Sequence, residues 1–367
     1  MKQLNNIEIL AETFRQFIDP EYVIVDQETQ KVYECDGLAA YTEMPKVVVL
    51  PDTIEQVQRV LKLCHEHKVP VVARGAGTSL SAGATPHKDG VVLSLAKFKN
   101  ILEINPLARI ARLQPGVRNL AISEAANEDG LYYAPDPSSQ IACSIGSNVA
   151  ESAGGVHCLK YELTVHNVLK IQMVTVEGEL VTIGSDGLDS FGPDMLALIN
   201  GSEGMLGVIT EITVKLLPLP EKAQVILAGF DSVKTAGDSV GAIISEGIIP
   251  GGLEMMDSYA IKAAEAFANA GYPLDAEALL LCEVDGTLEE VQEHIDQVAG
   301  LFKKLGATSV RISQTEAERA LFWKGRKSAF PAVGRLSPDY YCMDGTIPRG
   351  QLSHVLTEIN RLSEVYD

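Results

Sequence analysis

Apolar positions along the chain follow two spacings, and the switches between them mark the elements. "PKVVVLP" (45–51) is a short β-branched run that reads as a strand. In "DTIEQVQRVLKLCHEHK" (52–68), Ile54, Val57, Val60, Leu61 and Cys64 recur three and four apart, which predicts an amphipathic helix. Thr53 and Gln56 are placed for a capping box at its start. "VPVVAR" then completes a compact βαβ unit, and residues 1–42 read as a polar, helical lead-in. Further strands follow in "GVVLSL", "ARIARLQPG" and "VLKIQMVTVEGELVTI", with "VEGEL" as a hairpin turn. In "GVITEITVKLLPLP" (207–220), Val208, Thr210, Ile212, Val214 and Leu216 share one face, and Glu211, Thr213 and Lys215 the other. Pro218 and Pro220 close that strand and mark a domain boundary.

Beyond residue 221 strand and helix patterns alternate. "AQVILAGF", "GGLEMMD", "EALLLCEVDG" and "TSVRIS" are the strands, each followed by a helical stretch. The rhythm predicts an α+β layer of ferredoxin-like type. In the last segment, "RGQLSHVLTEINRLSEVYD", Leu352, Val355, Leu356, Ile359, Leu362 and Val365 recur at helical spacing with no glycine cap or proline stop. The alternation calls for another strand there, so the chain is expected to be part of a longer one.

Composition narrows the classes. A length of 367 residues suggests about two domains. The net charge of −19 repels nucleic acid and anionic lipid. No apolar run approaches the ~20 residues that cross a bilayer, and "MKQLNNIEIL" lacks the core of a signal peptide. The six cysteines, including Cys35, Cys143 and Cys342, lie far apart with no C-x-x-C pair. That argues against a disulfide framework or a zinc or iron–sulfur site in this chain, and a reducing cytoplasm fits best. His65 and His67 stand two apart on a predicted helix and point to different sides, so they read as surface residues and no metal is expected.

Chemistry concentrates in three glycine-rich loops. In "VPVVARGAGTSLSAGA" (69–84), Gly75 and Gly77 fit the first two places of G-x-G-x-x-G, but the third is Leu80. No G-K-[ST] follows, which excludes a nucleotide-triphosphate P-loop. Alone, the loop would be an ordinary tight turn. A second loop of small residues, "APDPSSQIACSIGSNVAESAGG" (134–155), and a third, "NGSEGMLGVITEI" (200–212), change that reading. Small residues admit close backbone approach, and successive N–H groups form anion-binding nests. Three such loops suit an extended, diphosphate-bridged ligand.

"RGAGTS", "PDPSS…GSNVAESAGG" and "GSEGMLGVITE", in this order after a βαβ unit, resemble the FAD-binding domain of the vanillyl-alcohol-oxidase (PCMH-type) flavoproteins. Within them the chain resembles the FAD-linked glycolate and D-lactate dehydrogenase branch, from about residue 38 onward. The resemblance implies an α+β protein: a lead-in (1–37), a PCMH-type two-subdomain FAD-binding domain (38–221) and an incomplete ferredoxin-like substrate (cap) domain (222–367). Arg74, Gly75, Ala76, Gly77, Thr78 and Ser79 would wrap the FAD diphosphate. Pro135, Asp136 and Ser139 would contact the flavin side, and Ser144, Gly146, Asn148 and Gly155 would line flavin and diphosphate. Glu203, Gly207 and Ile209 match the third FAD motif. Some relatives tether FAD through a histidine where this chain has Thr78, which implies non-covalent FAD.

The resemblance also implies oxidation of a small 2-hydroxy acid, glycolate to glyoxylate or D-lactate to pyruvate. A cation must hold the carboxylate, a base must take the hydroxyl proton, and the flavin must take the hydride. Arg326 in "LFWKGRKSAF" matches the family's carboxylate-binding arginine; the alternative is a solvated arginine like Lys324 and Lys327. Glu254 reads as a paired or edge-strand carboxylate. The family's His-x-Gly-Asp-Gly-Asn segment, which carries the base, does not occur here and is expected beyond Asp367. The catalytic base is therefore unassigned, with His157 and His166 as fallbacks, and the chain by itself is not expected to turn over. Cys342 stands where some relatives carry a lysine, which favours a small substrate over D-2-hydroxyglutarate. A non-catalytic FAD-binding subunit is the remaining alternative. The expected electron partners are an iron–sulfur subunit and a second flavin-domain subunit, as in the multi-subunit glycolate oxidases, placed at most peripherally on the inner membrane.

Overall fold

A computed structural model describes residues 6–187, 189–337 and 340–366. The first residues of the expected lead-in and Asp367 lie outside them. The chain divides into two compact units, one running to Gly155 and over Glu162–Leu219, the other over Val156–Tyr161 and from Pro220 on.

The first unit holds two main sheets. Strands β1 (Val23–Ile24), β2 (Val47–Val49), β3 (Val71–Arg74) and β4 (Val91–Ser94) form the first, in the order β1-β2-β4-β3. The predicted βαβ unit is present, but β2 and β3 do not pair; β4 inserts between them, parallel to both. The helix Ile54–His67 starts at Thr53, whose side chain accepts from the Gln56 N–H, and buries Val57, Val60, Leu61 and Cys64. The segment before residue 38 is more than a polar lead-in. Ile7, Leu10, Ala11 and Phe14 recur at helical spacing and are buried with Val49, Val57 and Leu93 in one core, and β1 pairs antiparallel with β2.

Strands β5 (Ile101–Asn105), β6 (Ile110–Leu113), β8 (Val168–Val174), β9 (Leu180–Gly184) and β10 (Val208–Lys215) make an antiparallel sheet, ordered β5-β6-β10-β8-β9. The predicted hairpin joins β8 to β9, with Gly178 at φ 83°. Thr213, assigned to the polar face of β10, stands between Arg112 on β6 and Lys170 on β8 and is 1% exposed, while Glu211 and Lys215 on that face are half-buried. Short strands β7 (Leu131–Tyr132) and β11 (Leu217–Pro218) pair with each other.

In the second unit, β12 (Lys222–Phe230), β13 (Gly252–Asp257), β14 (Ala278–Gly286) and β15 (Ser309–Ile312) form one sheet in the order β13-β14-β12-β15, with every neighbour antiparallel. That is the ferredoxin-like order, with the helix Ser258–Ala268 added between the second and third strands. The helix Leu288–Lys304 starts with a capping box, Thr287 and Glu290, and buries Val291, Ile295, Val298 and Phe302. The striped terminal segment forms the helix Leu352–Tyr366, against the helix Val233–Ser245, yet Ile359, Leu362 and Val365 remain exposed.

Candidate functional site

The first glycine loop leaves β3 at Arg74, which is 8% exposed. Its Nη1 donates to the carbonyl oxygens of Cys35 (2.7 Å) and Ala84 (3.3 Å). The guanidinium thus lies under the loop as its strut, joining the loop's far end to the N-terminal segment. Gly77 covers it at φ 68°; a Cβ there would come 2.3 Å from Arg74 Nη2. Gly37 donates its N–H to the Ser79 carbonyl at 2.8 Å. No backbone N–H from Gly75 to Leu80 donates to another residue among those described. Successive unengaged N–H groups on a glycine loop form an anion-binding nest.

The second loop meets the first. A Cβ on Gly75 would fall 2.1 Å from Ser147 Oγ and 2.4 Å from Ser144 Oγ, and those hydroxyls are 2.9 Å apart. Ser144 begins the helix Ile145–Glu151, on which Gly146 passes Pro115 with no room for a side chain. At the loop's end, a Cβ on Gly155 would be 2.4 Å from the Asp136 carbonyl carbon. Pro135, Asp136 and Asn148 are buried, and Ser139 is half-buried.

The third loop closes the group. Glu203, at φ 51°, donates its N–H to Ala150 O at 2.8 Å. Gly207 passes Met173 and Val174, where a Cβ would meet Met173 Cε at 2.2 Å. Ile209, on β10, is 7% exposed and belongs to the core of the antiparallel sheet. Where the loops converge, burial raises the Glu151 carboxyl above its usual range against a hydrogen bond from Ser79, and the Glu203 and Asp36 carboxylates raise it further. The convergence of three small-residue loops around a run of free N–H groups fits an elongated cofactor with an anionic middle. Thr78 is half-buried in the first of these loops.

The second unit places the other predicted residues. Arg326 is half-buried and paired with Glu254: Nη2 lies 2.8 Å and Nε 3.0 Å from Glu254 Oε2. Sequence reasoning missed two carboxylates on β14. Glu283, 2% exposed, takes hydrogen bonds from Arg319 Nη1 at 2.8 Å and from the Trp323 indole N–H, and lies 2.9 Å from His157 Nε2. Burial pushes Glu283 up, but His157, Arg319 and Trp323 outweigh it and hold the carboxyl below its usual range. Asp285 receives Lys160 Nζ at 2.6 Å and Tyr161 Oη at 2.5 Å. Two acidic residues two apart at the end of the apolar "EALLLCEVDG" were the available signal. His166 is exposed, and Cys342 is half-buried. Among the described residues, no group of three or more His, Cys, Asp or Glu is arranged to hold a metal ion, and no helix is long and apolar enough to cross a membrane.

Comparison with known proteins places these features. Residues 45–184 match the family model described as an FAD binding domain, and residues 219–367 the one described as FAD linked oxidases, C-terminal domain. The chain is 66% identical over 335 residues to the glycolate oxidase subunit GlcD of Escherichia coli, covering 91% of this chain and 67% of that protein. It is 31% identical over 367 residues to a D-lactate dehydrogenase of Anaerostipes hadrus, covering 98% and 77%. The structure of p-cresol methylhydroxylase with substrate bound superimposes with a TM-score of 0.75 at 19% identity, over 90% of this chain and 73% of that one. At that identity the likeness establishes the fold, which is PCMH-type.

Proposed function

Since the chain belongs to the glycolate oxidase GlcD family of FAD-linked oxidases, we propose that it binds FAD without a covalent bond and oxidises a small 2-hydroxy acid, glycolate to glyoxylate first and D-lactate to pyruvate second. The observation that carries this reading is the unengaged N–H run from Gly75 to Leu80 at the meeting point of three glycine loops. These groups would hold the diphosphate, with Arg74 keeping the loop in shape from beneath. When bound, FAD supplies the hydride acceptor. Gly75, Gly146, Gly155 and Gly207 keep the loops close enough together to leave the cofactor its space. Arg326 would hold the substrate carboxylate through its Nη1 edge, because Glu254 occupies the Nε and Nη2 side and orients the fork. Electrons would leave through an iron–sulfur partner subunit or a quinone; the Escherichia coli relative is itself named as a subunit.

The test is anaerobic addition of glycolate, D-lactate and D-2-hydroxyglutarate to FAD-loaded protein while the visible flavin band is recorded. Glycolate should perturb the band at the lowest concentration, by bleaching where a base completes the reaction and by a shift where the acid only binds. Arg326→Lys keeps the charge but loses the fork, and should weaken the response by about 1.5–3 kcal/mol with FAD content unchanged. Indifference of the flavin to every 2-hydroxy acid would sink the proposal.

A further inference from the structure

One buried side chain from outside the three glycine loops bonds to two separate points of the second. Asn119 is the first residue of the helix Asn119–Ala126 and is 2% exposed. Its Nδ2 carries two protons, and they go to separate points of the loop: the Pro135 carbonyl at 3.0 Å and Asn148 Oδ1 at 2.9 Å. Asn148, 3% exposed, donates its own Nδ2 to Cys143 Sγ at 3.3 Å; the Pro135 carbonyl, which can only accept, fixes the Asn119 amide, and Asn119 in turn orients the Asn148 amide. The backbone adds to these links. The N–H groups of Asn119 and Leu120 donate to the carbonyls of Cys143 (3.0 Å) and Gln140 (3.1 Å), and Ile145 donates to Val117 at 2.8 Å. Arg118 supplies no side-chain cap to this helix, so loop carbonyls serve as its cap.

We propose that Asn119 is a positioning residue for the cofactor: it sets the distance between Pro135 and Asn148 and so fixes how the buried Pro135–Asp136 stretch presents itself to the flavin. The side chain suits the task chemically. Two acceptors must be joined by one short group with two donors, which the asparagine amide provides; serine has one donor, and aspartate and alanine have none. With alanine at 119, the Pro135 carbonyl loses its donor and Asn148 Oδ1 keeps only the weak Cys143 thiol at 3.8 Å, all inside a buried site, and the loop regains the freedom the amide removes. The proposal rests on the reading that this loop binds FAD.

The test compares wild type, Asn119→Ala, Asn119→Ser and Ile122→Val, with FAD affinity measured from the fluorescence of free flavin during titration of the apoprotein. Ile122 lies on the same helix, fully buried in the core and away from the loop's hydrogen bonds, so its valine variant controls for a general loss of stability. Asn119→Ala should raise the FAD dissociation constant about tenfold, and Asn119→Ser by less, since one donor remains. Both should also shift the visible band of bound flavin, while Ile122→Val melts lower yet keeps wild-type affinity and spectrum. If Asn119→Ala does not fold, Asn119→Ser carries the comparison. Wild-type affinity in the Asn119 variants, or an equal loss in Ile122→Val, overturns the proposal alone; a wild-type protein that binds no FAD overturns the cofactor reading and this proposal with it.

Discussion

At Gly155 a methyl group would be placed 2.4 Å from the carbonyl carbon of Asp136, and the obstacle is backbone, which cannot rotate away. Gly300, exposed on the helix Leu288–Lys304, would receive the same methyl into open space. The two glycines look alike in sequence and differ wholly in consequence. Gly155→Ala should destabilise by about 1–3 kcal/mol and lower the FAD content of purified protein, because the loop must open to admit the methyl. Gly300→Ala should stabilise by up to about 1 kcal/mol, the helix-propensity difference, with FAD content unchanged. Thermal melts and flavin-to-protein ratios of the two variants check both halves; equal behaviour would mean that the contact at Asp136 relaxes without cost.

Among the elements, β14 carries an unusual load, because Glu283 and Asp285 face the same side of an otherwise apolar strand. They anchor the segment Val156–Tyr161 through His157, Lys160 and Tyr161. Glu283 is held below its unfolded reference value of 4.5, so its contribution is present above that value and is lost as pH falls through the lower folded value. Glu283→Gln should therefore cost about 2–3 kcal/mol near neutral pH, since Arg319 and His157 lose a buried ionic partner. Melting temperatures of wild type and variant, recorded from neutral pH down past 4.5, should converge at the acid end. A gap that stays constant with pH would assign Glu283 a packing role only.

For the whole molecule, each unit has its own buried cores, and the glycine loops belong to the first unit alone. FAD that binds only the folded protein should stabilise by mass action, by about 2.7 kcal/mol at a hundredfold excess over the dissociation constant. Acid precipitation should then leave the yellow flavin in the supernatant, since Thr78 offers no histidine nitrogen for a tether. Flavin that stays with the pellet would contradict non-covalent binding. A melting temperature indifferent to FAD would contradict binding altogether.

The sequence by itself determined the local parts. The stripe Val57, Val60, Leu61 and Cys64 became the buried face of a capped helix, "VEGEL" became a hairpin, and the four strands and helices after residue 221 appeared where periodicity placed them. Glycine loops could be read because a residue without Cβ is itself the local signal for close approach. Pairing partners could not be read. Nothing between Val47 and Arg74 announces that β4 will lie between β2 and β3. That Arg74 belongs to a ligand loop could be read, but not that its guanidinium reaches the Cys35 carbonyl, 39 residues away. His157 follows a flavin-type loop in sequence, yet its carboxylate partner lies 126 residues further along the chain. The spacing of apolar side chains is set by neighbours a few positions apart, so it survives in any fragment of sequence. Which acceptor a buried donor reaches depends on how distant segments close on one another, and only the folded chain decides that.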